Sequence, residues 1–484
     1  MKEEIKLQNR EEIVKDIKKD YFLLLPSGDE IKLDLSNKDE VLQQLEKYGY
    51  AELIDYVKAE ELPGEVKQEA PSIKEMKRLE LADNESSSDS GNHRMYPNGQ
   101  LMFNLIKDWQ ERIAKYELGA MEIGSPLFYN KADEQILAQC GSFHERHYSV
   151  RVPDDPNKEF ILRFAADFGL FKMVQQAGFS YKQLPLRFFE YSENFRYEKS
   201  GELSGLKRDR FFHMADIHCF CKDESQAIKE YKDICCKYED LNSGMGIKYA
   251  NVLRIVDVFY DKFKSDLVEL VKYAGRPLFI ERMDRMKHYW AMKHEWQSID
   301  SVHGNQQLST VQFDVKEGKV YNIVYVNESG EKENCIIVHS SVGAVERCMY
   351  AILEEALKLE SPVLPLWLSP VQLRIVPVNN DLHLNFCESL DFDGVRYDID
   401  DRDEKLGKKL VRARQEWVPY VIVVGDNEVS GAKFKVNDRL NNEVYEMDKK
   451  ELEEFIKSKI KGFPYRPIAL SKYISKRPSF YGAI

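Results

Sequence analysis

The sequence predicts an α/β (α+β) protein of several domains. Three observations point there. Two apolar runs flank a Pro-Ser-Gly-Asp turn near the N-terminus, β-rich runs alternate with helical patterns between about 126 and 350, and strands and helices alternate again over the last 120 or so residues. At roughly 100–200 residues per domain, a chain of 484 residues has room for two to four.

Taken in order, residues 22–35 read Phe-Leu-Leu-Leu-Pro-Ser-Gly-Asp-Glu-Ile-Lys-Leu-Asp-Leu, which signals a hairpin. Val41, Leu42, Leu45, Tyr48, Leu53 and Val57 then recur at helical spacing. Together they predict a small N-terminal α/β module, 1–75, with Ala70-Pro-Ser-Ile as its exit. Residues 84–94 are polar and serine-rich, a loop or linker. An amphipathic helix is expected over 101–116, stopped by Gly119, followed by an extended segment, 121–126, that Pro126 breaks. Strands are expected over 160–164, 186–197, 211–221, 308–315 and 334–338, and helices over 224–239 and 252–273. These belong to a central domain, 76–360. After a boundary near 359–365, strands at 372–378, 395–399 and 421–424 alternate with helices at 404–415 and 449–459. That order predicts a compact mixed α/β domain over 365–484. There is no internal repeat.

Composition narrows the function classes. Charged residues make up 31% and the hydrophobic set 43%, ordinary for a globular protein with a substantial core. The 70 basic residues less the 82 acidic ones leave a net charge of −12, which excludes attachment to nucleic acid by bulk positive charge but allows a local basic patch. No apolar run is long enough to span a membrane, and the first residues, Met-Lys-Glu-Glu-Ile, lack the apolar core of a signal peptide. Eight scattered cysteines, none in a CxxC pair, point to a reduced cytoplasmic protein.

The chemistry-bearing residues are concentrated in a few runs. Residues 195–201 read Phe-Arg-Tyr-Glu-Lys-Ser-Gly, and strand alternation puts Arg196 and Glu198 on one face. After the loop at 200–205 come Lys207, Arg208 and Arg210, then a second run in which Phe212, Met214, Asp216 and His218 share a face. One sheet face would thus gather guanidinium groups, a carboxylate, an imidazole and an aromatic ring. Read alone, this is equally a surface hairpin with weak salt bridges. His339 follows the apolar run 336–338, and Gly343 precedes a helix with Arg347 in its first turns. Thr310 and Gln312 share a face of another strand.

In this order the runs resemble the motifs of class II aminoacyl-tRNA synthetases. Residues 195–221 resemble motif 2, Gly343-Ala-Val-Glu-Arg347 resembles motif 3, and the helix and strand ending in Gly124-Ser-Pro126 resemble motif 1. Within the class the details are similar to threonyl-tRNA synthetases of archaeal type. The matching runs are Ser309-Thr-Val-Gln-Phe-Asp, Leu184-Pro-Leu-Arg-Phe-Phe-Glu190, Trp367-Leu-Ser-Pro-Val-Gln372 and Asp401-Arg-Asp-Glu-Lys-Leu-Gly407. The resemblance runs from about Met76 to the C-terminus. It implies an antiparallel-sheet class II catalytic core, a C-terminal mixed-sheet anticodon-binding domain and a homodimer built on motif 1. The implied reaction joins threonine and ATP into threonyl-adenylate and passes the threonyl group to the 3′ end of tRNA(Thr). Two alternatives remain: another class IIa synthetase, against which the two-histidine pocket with Asp216 argues, and a non-catalytic synthetase-like regulator, against which Arg196, Arg208 and Arg347 argue.

The same resemblance implies residue roles. Arg196 would clamp the α-phosphate, Glu198 orient the adenine region, Phe212 stack on adenine, Arg208 hold the terminal phosphates and Arg347 lie on the nucleotide's other side. Mg2+ would accompany ATP. Valine is nearly isosteric with threonine, and an apolar pocket separates such pairs only about 10²-fold. The family answers with one Zn2+ per subunit, which binds the amino and hydroxyl groups of threonine. His218 and His339 match two ligands. The third, normally cysteine, falls on Asp167, counting back from Pro185-Leu-Arg. A carboxylate is an acceptable, harder zinc ligand, although Asp167 would also fit as a simple partner for a nearby cation. Asp216 would face the amino and hydroxyl groups of threonine, with Tyr289, Gln307 and Gln312 lining the pocket. Met214 stands where bacterial relatives often carry glutamine, and Ala344 where they often carry serine.

At the tRNA end, Lys405, Lys408, Lys409, Arg412 and Arg414 crowd one short helix, either a solvated face or a phosphate-tracking surface. Asp403 and Glu428 match positions that read anticodon bases in the family. About 75–90 residues precede the core, with His93 the only histidine among them, so the expectation is a form that does not edit Ser-tRNA in cis and relies on a separate trans-editing protein. Rapid deacylation of Ser-tRNA by the chain alone would overturn it.

Overall fold

The structure is a computed structural model that describes residues 17–48, 50–62, 70–142 and 146–481. The expected lack of a signal core in the first five residues lies outside the described residues. No helix among the described residues is long and apolar enough to cross a membrane. The chain forms two compact units. One comprises Met1–Gln68, Glu111–Lys199 and Arg210–Ala344; the other Glu69–Gln110, Ser200–Asp209 and Val345–Ile484. These boundaries cut across the partition 1–75, 76–360 and 365–484.

The first unit is built on a sheet of ten strands among the described residues: β1 (Lys19–Leu24), β2 (Glu30–Leu33), β3 (Met121–Glu122), β4 (Leu186–Phe195), β5 (Phe211–Cys221), β6 (Ala250–Val256), β7 (Leu278–Met283), β8 (Trp290–Ile299), β9 (Asn305–Asp314) and β10 (Ile336–Ala344). Their order is β2-β1-β7-β6-β8-β9-β10-β5-β4-β3. All neighbours are antiparallel except β6 with β7 and β3 with β4. The N-terminal hairpin forms as expected, with Gly28 at φ +93° in its turn. It does not stand apart, because β1 pairs with β7 along its whole length and Leu23, Leu33, Val41, Leu45 and Tyr56 share a core with Val252 and Phe279.

Helices α1 (Asp167–Gln175), α2 (Glu224–Gly244) and α3 (Asp257–Ala274) belong to this unit. Asp223 caps α2 by accepting from the Gln226 amide, and Ala227, Tyr231, Ile234, Tyr238 and Leu241 bury one stripe of it. Tyr238 Oη donates to Ser340 Oγ at 2.9 Å and Asn242 Nδ2 to Ser309 Oγ at 3.0 Å, so α2 covers the face that carries Ser340 and Ser309. By alternation, His339, Ser341, Thr310 and Gln312 point to the other face.

Two expectations are corrected here. Residues 252–273 are not one helix: 250–256 is strand β6 and only Asp257–Ala274 is helical. The run Val-Leu-Arg-Ile-Val is buried between β7 and β8, and such a short apolar run carries no period that separates strand from helix. The strand expected at 334–338 continues to Ala344, so the polar His339-Ser-Ser sits in mid-strand.

In the second unit, strands Ala82–Asn84 and His93–Met95 close the serine-rich stretch into a hairpin. Helix α4 (Val345–Leu357) follows β10 in the chain. The C-terminal sheet comprises β11 (Leu373–Pro377), β12 (Tyr397–Ile399), β13 (Tyr420–Val424), β14 (Phe434–Asp438) and β15 (Glu443–Met447), in the order β12-β11-β13-β14-β15. Its first three strands are parallel and the last two antiparallel, the mixed sheet expected. Leu373, Ile375, Ile399, Ile422, Val424 and Val436 fill its core. Helix α5 (Leu406–Gln415) carries the basic residues.

Candidate functional site

Cross-strand register builds the site. In an antiparallel ladder, residues directly opposite share a face and lie close together. Across β8, β9, β10 and β5 this gives one row, Lys293–Gln312–His339–His218, and beside it a second, Glu295–Thr310–Ser341–Asp216. The sequence alternation 212, 214, 216, 218 therefore becomes a column of a two-dimensional array. A register shift between Glu295/Gln297 and Gln307/Thr310 inserts one extra residue in β9 and turns Gln307 to the same face, where Lys293 Nζ donates to its Oε1 at 3.1 Å.

Asp167 opens α1 and meets this array. His218 Nε2 and Asp167 Oδ1 lie 3.3 Å apart, and one ligand atom each from Asp167, His218 and His339 falls within 4.8 Å of the others. Phe171, one turn along α1, packs edge-on against both imidazoles, at 5.8 Å from His218 and 5.6 Å from His339. Behind His339, its Nε2 lies 2.8 Å from Asp314 Oδ2 and 3.7 Å from Glu317 Oε2, a second group that shares the same histidine. Asp314 is itself fixed by the amides of Lys316 and Glu317 at 2.6 and 3.0 Å. Tyr289 Oη donates to Gln312, and its ring lies 5.3 Å from His339.

The electrostatics fit a cation. Burial, then the charges of Asp314 and Asp167, push Glu317 up to about 9. Burial raises Asp216 to about 6, against the pull of His218 and a 2.7 Å hydrogen bond from Ser192 Oγ. Burial would also raise Asp167, but the hydrogen bond and charge of His218 and the charge of His339 outweigh it and hold it low. Of these carboxyls only that of Glu317 is held neutral at neutral pH, by burial first and then by the neighbouring charges of Asp314 and Asp167. Two buried imidazoles and a half-buried carboxylate, convergent, are an acceptable donor set for a divalent metal.

Toward the strand ends, the Arg196 guanidinium stacks over Phe212 at 5.1 Å, and its Nε donates to the Phe164 carbonyl at 3.1 Å. Glu198 is buried; its carboxylate pairs with Arg146 at 3.2 Å and its carbonyl accepts from Arg210. Ser125 of the motif 1 run donates through its amide (2.8 Å) and hydroxyl (2.7 Å) to Glu190 Oε1, which Arg163 also holds at 2.7 Å.

Arg208 and Arg347 belong to the other unit. There Arg208 pairs with Glu202 at 3.2 Å, and Arg347 Nε donates to the Lys207 carbonyl at 3.0 Å. Asp403 is exposed just ahead of α5, and Glu428 folds its carboxylate onto the Gly425 amide at 2.9 Å. Of the five basic residues of 404–414, Lys409 is buried, its Nζ donating to Asn380 Oδ1 at 2.8 Å, whereas Lys405, Lys408, Arg412 and Arg414 are exposed.

Sequence reading passed over Ser192, Lys293, Glu295, Ser341 and Arg146 as site neighbours. Strand register alone brings the first four in, and no local pattern announces Arg146. Asp314 stood inside a quoted run, but only the fold sets it behind His339.

Comparison with known proteins bears on this geometry. The tRNA synthetase class II core domain (G, H, P, S and T) matches residues 148–356, and an anticodon binding domain matches residues 372–459. A threonine–tRNA ligase of Pyrococcus horikoshii is 38% identical over 476 residues, which is 96% of this chain and 74% of that protein. One of Methanosarcina acetivorans is 40% identical over 434 residues, 86% of this chain and 67% of that protein. The crystal structure of the RNA binding domain of threonyl-tRNA synthetase from Cryptosporidium parvum Iowa II superposes with a TM-score of 0.68, covering 81% of this chain and 98% of that one; at 22% identity this establishes a common fold. With such identity over most of both lengths, and the class II core and anticodon domains in order along it, this chain belongs to the threonine–tRNA ligase family.

Proposed function

We propose that this chain activates threonine with ATP and transfers it to tRNA(Thr). The observation that carries the reading is the array His218–His339–Asp216 beside Asp167, brought together by strand register, with Arg196 over Phe212 of the same strand. Attack on the α-phosphate concentrates negative charge on phosphoryl oxygens, so fixed cations matter more than a base. Arg196, already immobilised by the Phe164 carbonyl and the Phe212 ring, holds that charge, and adenine stacks on Phe212. Glu198 orients the adenine end, and Mg2+ accompanies ATP. Asp216 takes the amino group of threonine, while Tyr289, Gln307 and Gln312 close the pocket around its side chain.

Asp167, His218 and His339 would hold one Zn2+ per subunit. Zinc there supplies Lewis-acid contacts to amino and hydroxyl groups, which valine lacks the hydroxyl to complete. Asp403, Glu428 and the exposed bases of α5 engage the anticodon arm. Tyr116, Met121 and Phe128, all exposed around the motif 1 segment, support a homodimer. The His93 side chain is buried, its Nδ1 3.6 Å from Asp209 Oδ2, so it is not presented for hydrolysis. The eight cysteines are free thiols, in keeping with the cytoplasm.

The test is threonine-dependent ATP–pyrophosphate exchange, with serine and valine as competitors. Exchange with threonine far above valine is expected, and Arg196→Ala should lower kcat by roughly 10²–10³-fold, the loss typical of one transition-state donor. Exchange with no amino acid would favour the regulator, and a preference for proline, serine or histidine the other class IIa enzymes.

A further inference from the structure

The two groups around His339 contain nitrogen and oxygen donors only. One is Asp167 with His218 and His339, the other Asp314 and Glu317 with the same His339, and no cysteine joins either among the described residues. Cys219 follows His218 in the chain, but alternation turns it to the opposite face, where its cross-strand neighbour is Arg187. It is fully buried there, with Arg187 and Glu230 as its charged neighbours. Cys221 and Cys335 are buried as well. A site without thiolate loses the soft donor that favours zinc over harder ions, and a carboxylate beside two imidazoles admits Mn2+ and Co2+ as well as Zn2+.

We propose that this centre is a thiol-free, carboxylate-rich site that accepts Mn2+ and Co2+ as well as Zn2+, with Asp167 as the ligand that sets this tolerance. The proposal rests on the reading of Asp167, His218 and His339 as metal ligands. It goes further in naming the class of ion and the residue that governs the choice. The affinity order follows the intrinsic ranking of divalent ions for nitrogen and oxygen donors, with Mn2+ weakest, so the bound ion reflects supply as much as preference. Asp314, anchored by two backbone amides, fixes the ring of His339 from behind, as outer carboxylates do for ligating histidines.

The full-length chain, stripped with a chelator and dialysed, is titrated separately with Co2+, Mn2+ and Zn2+. Absorption reads Co2+, and loss of the free-ion paramagnetic signal reads Mn2+. The expected result is visible cobalt bands without a near-ultraviolet sulfur-to-cobalt charge-transfer band, and one equivalent of bound Mn2+ that Zn2+ displaces. Asp167→Cys should create that charge-transfer band and raise the preference for Zn2+ over Mn2+ by roughly tenfold or more. A sulfur band in the unaltered chain, or Zn2+ binding without Mn2+ binding, would overturn the proposal while leaving a metal site in place. An unchanged preference in a folded Asp167→Cys chain would do the same. No binding of any of the three ions would overturn the metal reading itself. Because the unaltered chain supplies two of these readouts, the proposal stays testable even if the cysteine variant does not fold.

Discussion

His294 on β8 shows how one buried side chain carries a pH dependence. Its ring stacks on Trp296 at 4.4 Å, it is buried, and neither ring nitrogen has a partner among the described residues. Burial pushes its pKa down to about 3, with Glu295 opposing weakly. The folded state therefore holds it neutral while the unfolded chain protonates it near 6.5, so stability is full above that pH and falls as pH drops toward 3. Replacing His294 with Gln should remove this dependence. Between pH 8 and 5 the unaltered protein should lose about 2 kcal/mol more unfolding free energy than the variant, read from urea midpoints at each pH. Equal losses would show that the ring is protonated in the folded chain. The same residue marks the edge of what was legible in advance. Arg196, Glu198, Asp216 and His218 were readable as one face because strand alternation is local, whereas Lys293 and Gln307 were not readable as partners because a bulge, set by pairing with β8, turns Gln307 over.

Helix α5 separates charge that faces solvent from charge that faces the core. Counting its basic residues left either a solvated face or a phosphate-tracking surface, but Lys409 points inward and bonds Asn380, the first residue of the helix Asn380–Ser389. Arg414→Ala should weaken tRNA binding and lower the slope of log affinity against log salt by about 0.7–0.9, the value of one phosphate contact. Lys409→Met should leave that slope unchanged and instead cost about 1 kcal/mol of stability, since it strips a half-buried acceptor of its donor. Filter binding over a potassium chloride series and denaturant unfolding decide between them. The element β6 teaches the complementary lesson. Its residues were read as helix because buried apolar runs have no exposed face to set a period, and only pairing with β7 and β8 declares it a strand.

Each of the two units draws on distant segments of the chain, so the linear order of modules was a poor guide to what packs with what. The hairpin read as a separate N-terminal module is two strands of the large sheet, because β1 supplies the backbone partner that the edge of β7 needs. The exposed apolar side chains about the motif 1 segment make the same point for assembly: Tyr116 is 80% exposed and Phe128 51%. If they form a subunit interface, Tyr116→Asp with Phe128→Asp should weaken self-association by at least about 2 kcal/mol, in the range of interface hot spots, while thermal unfolding of each subunit is retained. Sedimentation equilibrium over a range of concentrations reads this directly, and a monomeric unaltered chain would rule the dimer out.

Period and turn chemistry are written locally, and they pointed to the mixed α/β class, the N-terminal hairpin, the basic helix and the shared strand faces of 196 with 198 and of 212, 216 and 218; the resemblance to class II synthetases joined 339 to them. What lay beyond reach was every relation that depends on which strand pairs with which. Register placed His339 opposite His218 and Ser341 opposite Asp216, and α1 brought Asp167 to the imidazoles from 51 residues away. Those contacts follow from long-range pairing free energy rather than from any short stretch of chain, so only the folded sheet could decide them.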